Sequence, residues 1–123
     1  MTSRPHKKLL VWQKSLHFVK DIYVLSNSFP QQEKYGMTSQ LKRASVSILL
    51  NIAEGAARSS KKEFVQFLSI SRGSVSEVDA LLDILKELNY IESESYNSLA
   101  HKLNEISALL QGLIRKIKVD NNL

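Results

Sequence analysis

The segment from Met37 to Arg58 carries apolar side chains on two opposite sides of one helix. Met37, Leu41, Ala44, Ile48 and Ile52 recur every three or four residues and share a face. At about 100° per residue, Val46, Leu49, Leu50, Ala53 and Ala57 fall roughly opposite. A helix that is apolar on both sides is normally buried on both sides. A single small bundle covers one stripe per helix. This segment therefore predicts a second packing partner, most simply another copy of the chain, with those five residues at the subunit contact.

The flanking segments read as three more helices. Between Val11 and Ser28, Trp12, Leu16, Val19 and Tyr23 form one stripe and Phe18, Ile22, Leu25 and Phe29 a second. Pro30 ends this helix, because it pushes Phe29 out of the α region. Residues 31–37 connect to the second helix, with Thr38 or Ser39 as its expected cap. Ser59 or Ser60 caps the third, and Glu63 stands where a capping-box acid belongs. Phe64, Phe67, Ser71, Ser74, Val78, Leu81, Leu85 and Leu88 then hold a heptad spacing suited to shallow packing. Ser69, Gly73, Ser76 and Ala80 lie behind them as a ridge of small residues. A mid-helix Gly costs about 1 kcal/mol against Ala, so close approach of another backbone is a reason for Gly73 to be there. The plain alternative is a solvated face. Ser93 or Ser95 caps a fourth helix, on which Leu99, Leu103, Ile106, Leu110, Leu113 and Ile117 keep heptad spacing.

Four helices with short connections and no strand signal predict an all-α, antiparallel up-and-down four-helix bundle. The expected organisation is a flexible basic arm over residues 1–8, a bundle over 9–119 and a frayed tail over 120–123. One domain is what 123 residues support. No Cys is present, which excludes disulfides, thiolate metal sites and Cys nucleophiles. No run of about 18 apolar residues occurs, so no membrane partner is expected. The N-terminus does not read as a signal peptide, and a cytoplasmic location is expected.

The residues offer little chemistry. His6, His17 and His101 are scattered, and neither Glu-x-x-His nor His-Glu-x-x-His occurs. Neither glycine-rich nucleotide loop is present, and no Ser stands in a nucleophile elbow. The expectation is a non-enzyme with no cofactor and no metal. One polar group stands out, Asn51 to Gly55 in the middle of the second helix. Glu54 there is costly to bury unless it is paired. With Ser47, Asn51 and Ser74 it is expected to form a structural polar network that sets helix register or subunit pairing. A catalytic Glu54 is the competing reading.

The formal charge is +5, from 17 basic and 12 acidic residues. Arg4, Lys7 and Lys8 precede the first helix, and Lys42, Arg43, Arg58, Lys61, Lys62 and Arg72 form a second basic group. Such clusters attract phosphate polymers in a salt-sensitive way. A solvated surface with a Lys excess is the plain alternative.

Several runs together carry a resemblance. Val11-Trp12-Gln13-Lys14, Phe29-Pro30, Glu33 to Met37, and Gln40 to Ala44 come first. Ser47-Ile48, Asn51 to Gly55, Arg58, Glu63-Phe64, Phe67-Leu68, Gly73-Ser74, Glu77 and Leu88 to Ile91 follow. This ordered set resembles the bacterial four-helix bundle proteins of ribosomal RNA intervening sequences. They are related to the accessory variability protein of diversity-generating retroelements. The fourth helix matches only as an amphipathic helix, and Ser74-Val75 replaces the usual Ser-Leu. The resemblance implies a ring-shaped homo-oligomer, a pentamer, with a basic surface for RNA or DNA. For retroelement members it also implies a reverse transcriptase partner. The resulting expectation is a non-catalytic oligomer that binds structured RNA. The alternative is a protein-interaction scaffold or accessory subunit for a polymerase.

Overall fold

The computed structural model describes residues 4–123. A 3-10 turn at Pro5–Lys8 leads into α1 (Leu10–Ser26). A second 3-10 turn at Gln31–Glu33 precedes α2 (Met37–Ala56), and α3 (Lys61–Glu87) and α4 (Ser93–Asp120) follow. Among the described residues there is no strand. Each helix packs on two neighbours: α1 on α2 and α4, α3 on α2 and α4. With such short connections these neighbours are antiparallel, giving the expected bundle.

The helix ends show which local signals operate. Ser60 caps α3 as expected, its hydroxyl accepting from the Glu63 amide at 3.2 Å. Thr38 and Ser39 do not cap α2. Gly36 takes the cap position, and the Glu33 carboxylate accepts from the Met37 amide at 3.4 Å. Thr38 is instead buried in the first turn. At the α4 start Glu92, not Ser93 or Ser95, holds the cap position. α3 closes with Asn89 in the left-handed region (φ 61°) and the Tyr90 amide bonded to Leu85 O at 2.9 Å. Asn tolerates that region better than most residues. The same motif closes α4: Asn122 has φ 56°, and the Leu123 amide reaches Lys118 O at 2.9 Å. Residues 120–123, expected as a frayed tail, carry this hydrogen-bonded helix end. Pro5–Lys8, expected within a flexible arm, is a turn packed on α1 and α2. Residues 1–3 of that arm lie outside the described residues.

The core is built from Phe18, Ile22, Leu41, Ile48, Ile52, Leu68, Val78, Leu82, Leu85, Leu103, Ile106 and Leu110, all almost fully buried. Of the two stripes on α1, the Phe18 stripe points inward, while Leu16 and Tyr23 of the other are exposed. On α3 the buried face is wider than a heptad seam. Val65, Leu68, Val75 and Leu82 join it, while Leu88 is exposed. The cause is that α3 serves two neighbours, α2 and α4, at once. At the far end, the Tyr90 hydroxyl donates to Glu33 Oε2 at 3.2 Å and ties the two connectors together. Burial and that bond raise the tyrosine's pKa above its usual value.

Gly55 lets α2 and α3 meet. A Cβ there would lie 2.8 Å from Phe67 Cβ and 3.2 Å from the Phe64 carbonyl oxygen. Both atoms belong to a rigid helix and cannot swing aside. A Cβ at Gly112 would meet nothing within 4 Å. Gly55→Ala is therefore expected to lower stability by about 1–3 kcal/mol through overpacking. Gly112→Ala is expected to raise it by up to about 1 kcal/mol through helix propensity. Denaturant unfolding of the two variants checks both signs.

Candidate nucleic-acid interface

The antiparallel order brings three distant stretches to one end of the bundle. Leu9, Leu10 and Val11 line a groove with Leu109 and Leu113, so the start of α1 sits beside the last turns of α4. The Pro5–Lys8 turn lies there, and so does the α2–α3 connection. This end gathers Arg4, Lys7 and Lys8 from the turn, Arg58, Lys61 and Lys62 from the connection, and Arg115, Lys116 and Lys118 from α4. Only Glu54, Glu63 and Asp120 oppose them.

Arg58 is the most constrained of these cations. It bonds Glu54 Oε1 one turn back and lies 3.7 Å from Glu63 Oε2. Its guanidinium is 4.7 Å from the Phe67 ring centroid. Lys61 Nζ stands 5.7 Å from the Phe64 ring. Lys7, Lys8, Lys61, Lys62, Arg115, Lys116 and Lys118 form no ion pair among the described residues. Their charge faces water, where it is available to a polyanion.

The structure does not join all nine expected cations in one patch. Lys42 and Arg43 sit at the other end of α2, with Lys42 Nζ 4.7 Å from the Tyr23 ring. Arg43 is exposed and lines a cavity near the α2 start. Arg72 is also exposed, and Asp79 and Asp83 follow it by seven and eleven residues. That spacing keeps all three on one stripe of α3. Asp83 accepts from the Tyr96 hydroxyl, so this stripe is the α4-facing edge, and Arg72 stands on it partway along α3, away from the basic end. Arg115, Lys116 and Lys118 were missed by the sequence reading. Their run was visible, but only the fold places it beside Lys61.

The charge is also layered. From Arg4 to Arg58, nine basic side chains stand against three acidic ones; from Lys61 to Asp120, eight stand against nine. The layer of α1 and α2 is therefore basic, and the acids concentrate around the α3–α4 connection. At mid-height Lys14 pairs with Glu105 at 2.7 Å, and its hydrogen bond holds that carboxyl below the usual range.

The polar network forms without its carboxylate. Ser47 and Ser74 hydroxyls meet at 2.9 Å, and Asn51 Nδ2 donates to Ser47 O at 2.8 Å and to Ser47 Oγ at 3.1 Å. Below them the buried Ser71 hydroxyl donates to Ile48 O at 2.9 Å. Glu54 takes no part. It points to solvent, half exposed, and pairs with Arg58. The expectation of a buried Glu54 fails because its side chain stands at the open rim of the α2–α3 seam, beside Arg58, where water reaches it.

The expected subunit contact is reduced as well. Leu49 is buried within the single chain at 7% exposure. Val46 and Ala53 are half-buried, Ala57 is exposed, and Leu50 stands 63% exposed. Ile70, unremarked in the sequence, is 52% exposed and lies level with Leu50 across the Ile48–Ser71 bond. Ser69, Gly73, Ser76 and Ala80 are all exposed, and a Cβ on Gly73 would meet nothing within 4 Å. The outer surface of α2 and α3 is thus a strip of small residues, Ala, Gly and Ser, around two large apolar ones.

Because Glu54 is solvated, Glu54→Gln is expected to change stability by no more than about 0.5 kcal/mol. Thermal unfolding at neutral pH tests this; a large loss would return Glu54 to the structural network.

The 23S rRNA-intervening sequence protein family model matches residues 7–112. No curated protein matches the chain. Among solved structures, a protein with unknown function from the S23 ribosomal protein family of Bacteroides thetaiotaomicron VPI-5482 superposes with a TM-score of 0.80. It is 31% identical, and the match covers 85% of this chain and 98% of that one. With most of its length matched and its four helices arranged alike, the chain belongs to the 23S rRNA-intervening sequence protein family.

Proposed function

We propose that this protein is a non-catalytic homo-oligomer, a ring of five copies, that binds structured RNA through the basic end of its bundle. The observation that carries the reading is the convergence of the Pro5–Lys8 turn, the α2–α3 connection and the α4 C-terminus into one cationic surface. Cyclic symmetry would set every basic end on the same side of the ring. Weak patches on one rigid body then act together, so affinity rises without new contacts. The contacts are to phosphate, which gives affinity with little sequence preference. The protein would work in the cytoplasm and need no cofactor.

Binding of a structured RNA should fall steeply with salt. About six phosphate contacts predict a loss of about 10³-fold between 50 and 200 mM. Reversing Lys61, Lys62 and Lys116 to Glu should weaken binding at least about tenfold and flatten that slope. Fluorescence anisotropy reads both. A flat salt response, or unchanged affinity in the triple variant, would overturn the reading.

The assembly is supported by the exposed Leu50 and Ile70. Burying each contributes about 1.5–3 kcal/mol per contact. Leu50→Asp with Ile70→Asp is expected to break the oligomer into single chains of 13.9 kDa in light scattering. Wild-type protein already at that mass would sink the ring. A second reading, an accessory subunit for a polymerase, is favoured by Leu10, Leu16 and Val24, which are exposed on α1 away from that strip. Partner capture that survives nuclease treatment would support it.

A further inference from the structure

The chain has nine aromatic residues, and the bundle uses nearly all of them for packing. Phe18, Phe29 and Phe64 are buried, and Trp12, Phe67, Tyr90 and Tyr96 are half-buried. Tyr23 is partly exposed and carries Lys42 on its ring. Tyr35 differs from all of these at 89% exposure. It sits between the Gln31–Glu33 turn and α2, at the end of α2 away from the basic end. Among the described residues, no element covers this phenol ring.

Its surroundings have the chemistry of a base-binding site. Tyr35 lines an open cavity of about 350 Å³ with Gly36, Ser39, Gln40, Arg43 and Glu77. Lys34 Nζ is 5.5 Å from the Tyr35 ring centroid, and Arg43 brings a second unpaired cation to the wall. Ser39 and Gln40 offer both donors and acceptors, and the Glu77 carboxylate accepts only. An exposed ring, flanking cations and polar groups at the rim are what unpaired bases use: a π-face to stack on, charge for the phosphate, and partners for the base edge. A duplex cannot use the ring, because its bases are already stacked.

We propose that the Tyr35 cavity is a stacking site for one unpaired base of a bound RNA, with Arg43 and Lys34 holding the adjoining phosphate. The proposal rests on the nucleic-acid reading above and adds to it a preference for looped over fully paired RNA. α2 spans 20 residues, about 30 Å, so one RNA stem gripped at the basic end can carry its loop to this cavity at the other end of the helix.

Two RNAs with the same stem test it, one closed by an unpaired loop and one blunt. The looped RNA is expected to bind about 5- to 150-fold more tightly, the range of one base stacked on an aromatic ring. Tyr35→Ala should erase that preference and leave blunt-duplex affinity, melting temperature and particle mass unchanged. Tyr35→Phe should keep it, because the ring and not the hydroxyl is used. A Tyr35→Ala protein that still prefers the loop overturns the proposal, and so does wild-type protein that binds both RNAs equally. A change of particle mass in Tyr35→Ala would assign the ring to a subunit contact and also overturn it. Binding of the blunt duplex without loop preference sinks the stacking site alone; binding of neither RNA sinks the nucleic-acid reading with it.

Discussion

The seam between α2 and α3 is the contact on which the rest of the molecule depends. It is the most extensive helix pairing in the bundle, and Gly55 sets its closeness by leaving room for Phe64 and Phe67. Hydroxyls then fix its register: Ser71 on the Ile48 carbonyl, and Ser47 with Ser74 beside Asn51. A slide by one turn would break these bonds and drive the rings against a backbone. A seam held in this way makes α2 and α3 one rigid unit, against which α1 and α4 complete the core.

That rigidity has an electrostatic consequence. The α2–α3 connection must project from one end of the bundle, and short connections force the α1 start and the α4 end to the same place. Cations distant in the chain become neighbours there, while the carboxylates of the α3–α4 connection are carried to the other end. Like charges held together cost the fold some self-repulsion. A polyanion that replaces this repulsion with attraction is the natural counterpart, which is the physical core of the RNA reading. Family membership is independent of that argument and agrees with it only in name, because the related solved structure is itself of unknown function.

Side-chain periodicity showed the four helices, their order and most of the core. Leu99, Leu103, Ile106 and Leu110 on α4 are buried as their spacing required. Ser60 and Glu63 marked the start of α3 because that cap is made by adjacent residues. Expectations failed where a residue's environment is set by something remote. Glu54 looked buried from its apolar neighbours, but its flank of α2 faces water and Arg58. Leu49 looked exposed to a partner, but the chain itself covers it. Asn122 closes a helix end in the tail that was expected to fray.

The sequence by itself determined the helical class, the bundle, the excess of positive charge and the lack of any recognisable catalytic motif, because each follows from spacing or residue type along one strand of chain. Only the tertiary structure decided which cations stand together, that Arg72 stands apart from the basic end, that Arg115, Lys116 and Lys118 join Lys61, and that Tyr35 alone is left bare. The physical reason is that electrostatic and packing neighbourhoods are properties of distance in space. In an antiparallel bundle, residues more than fifty positions apart in sequence stand side by side, and no local pattern records which of them will.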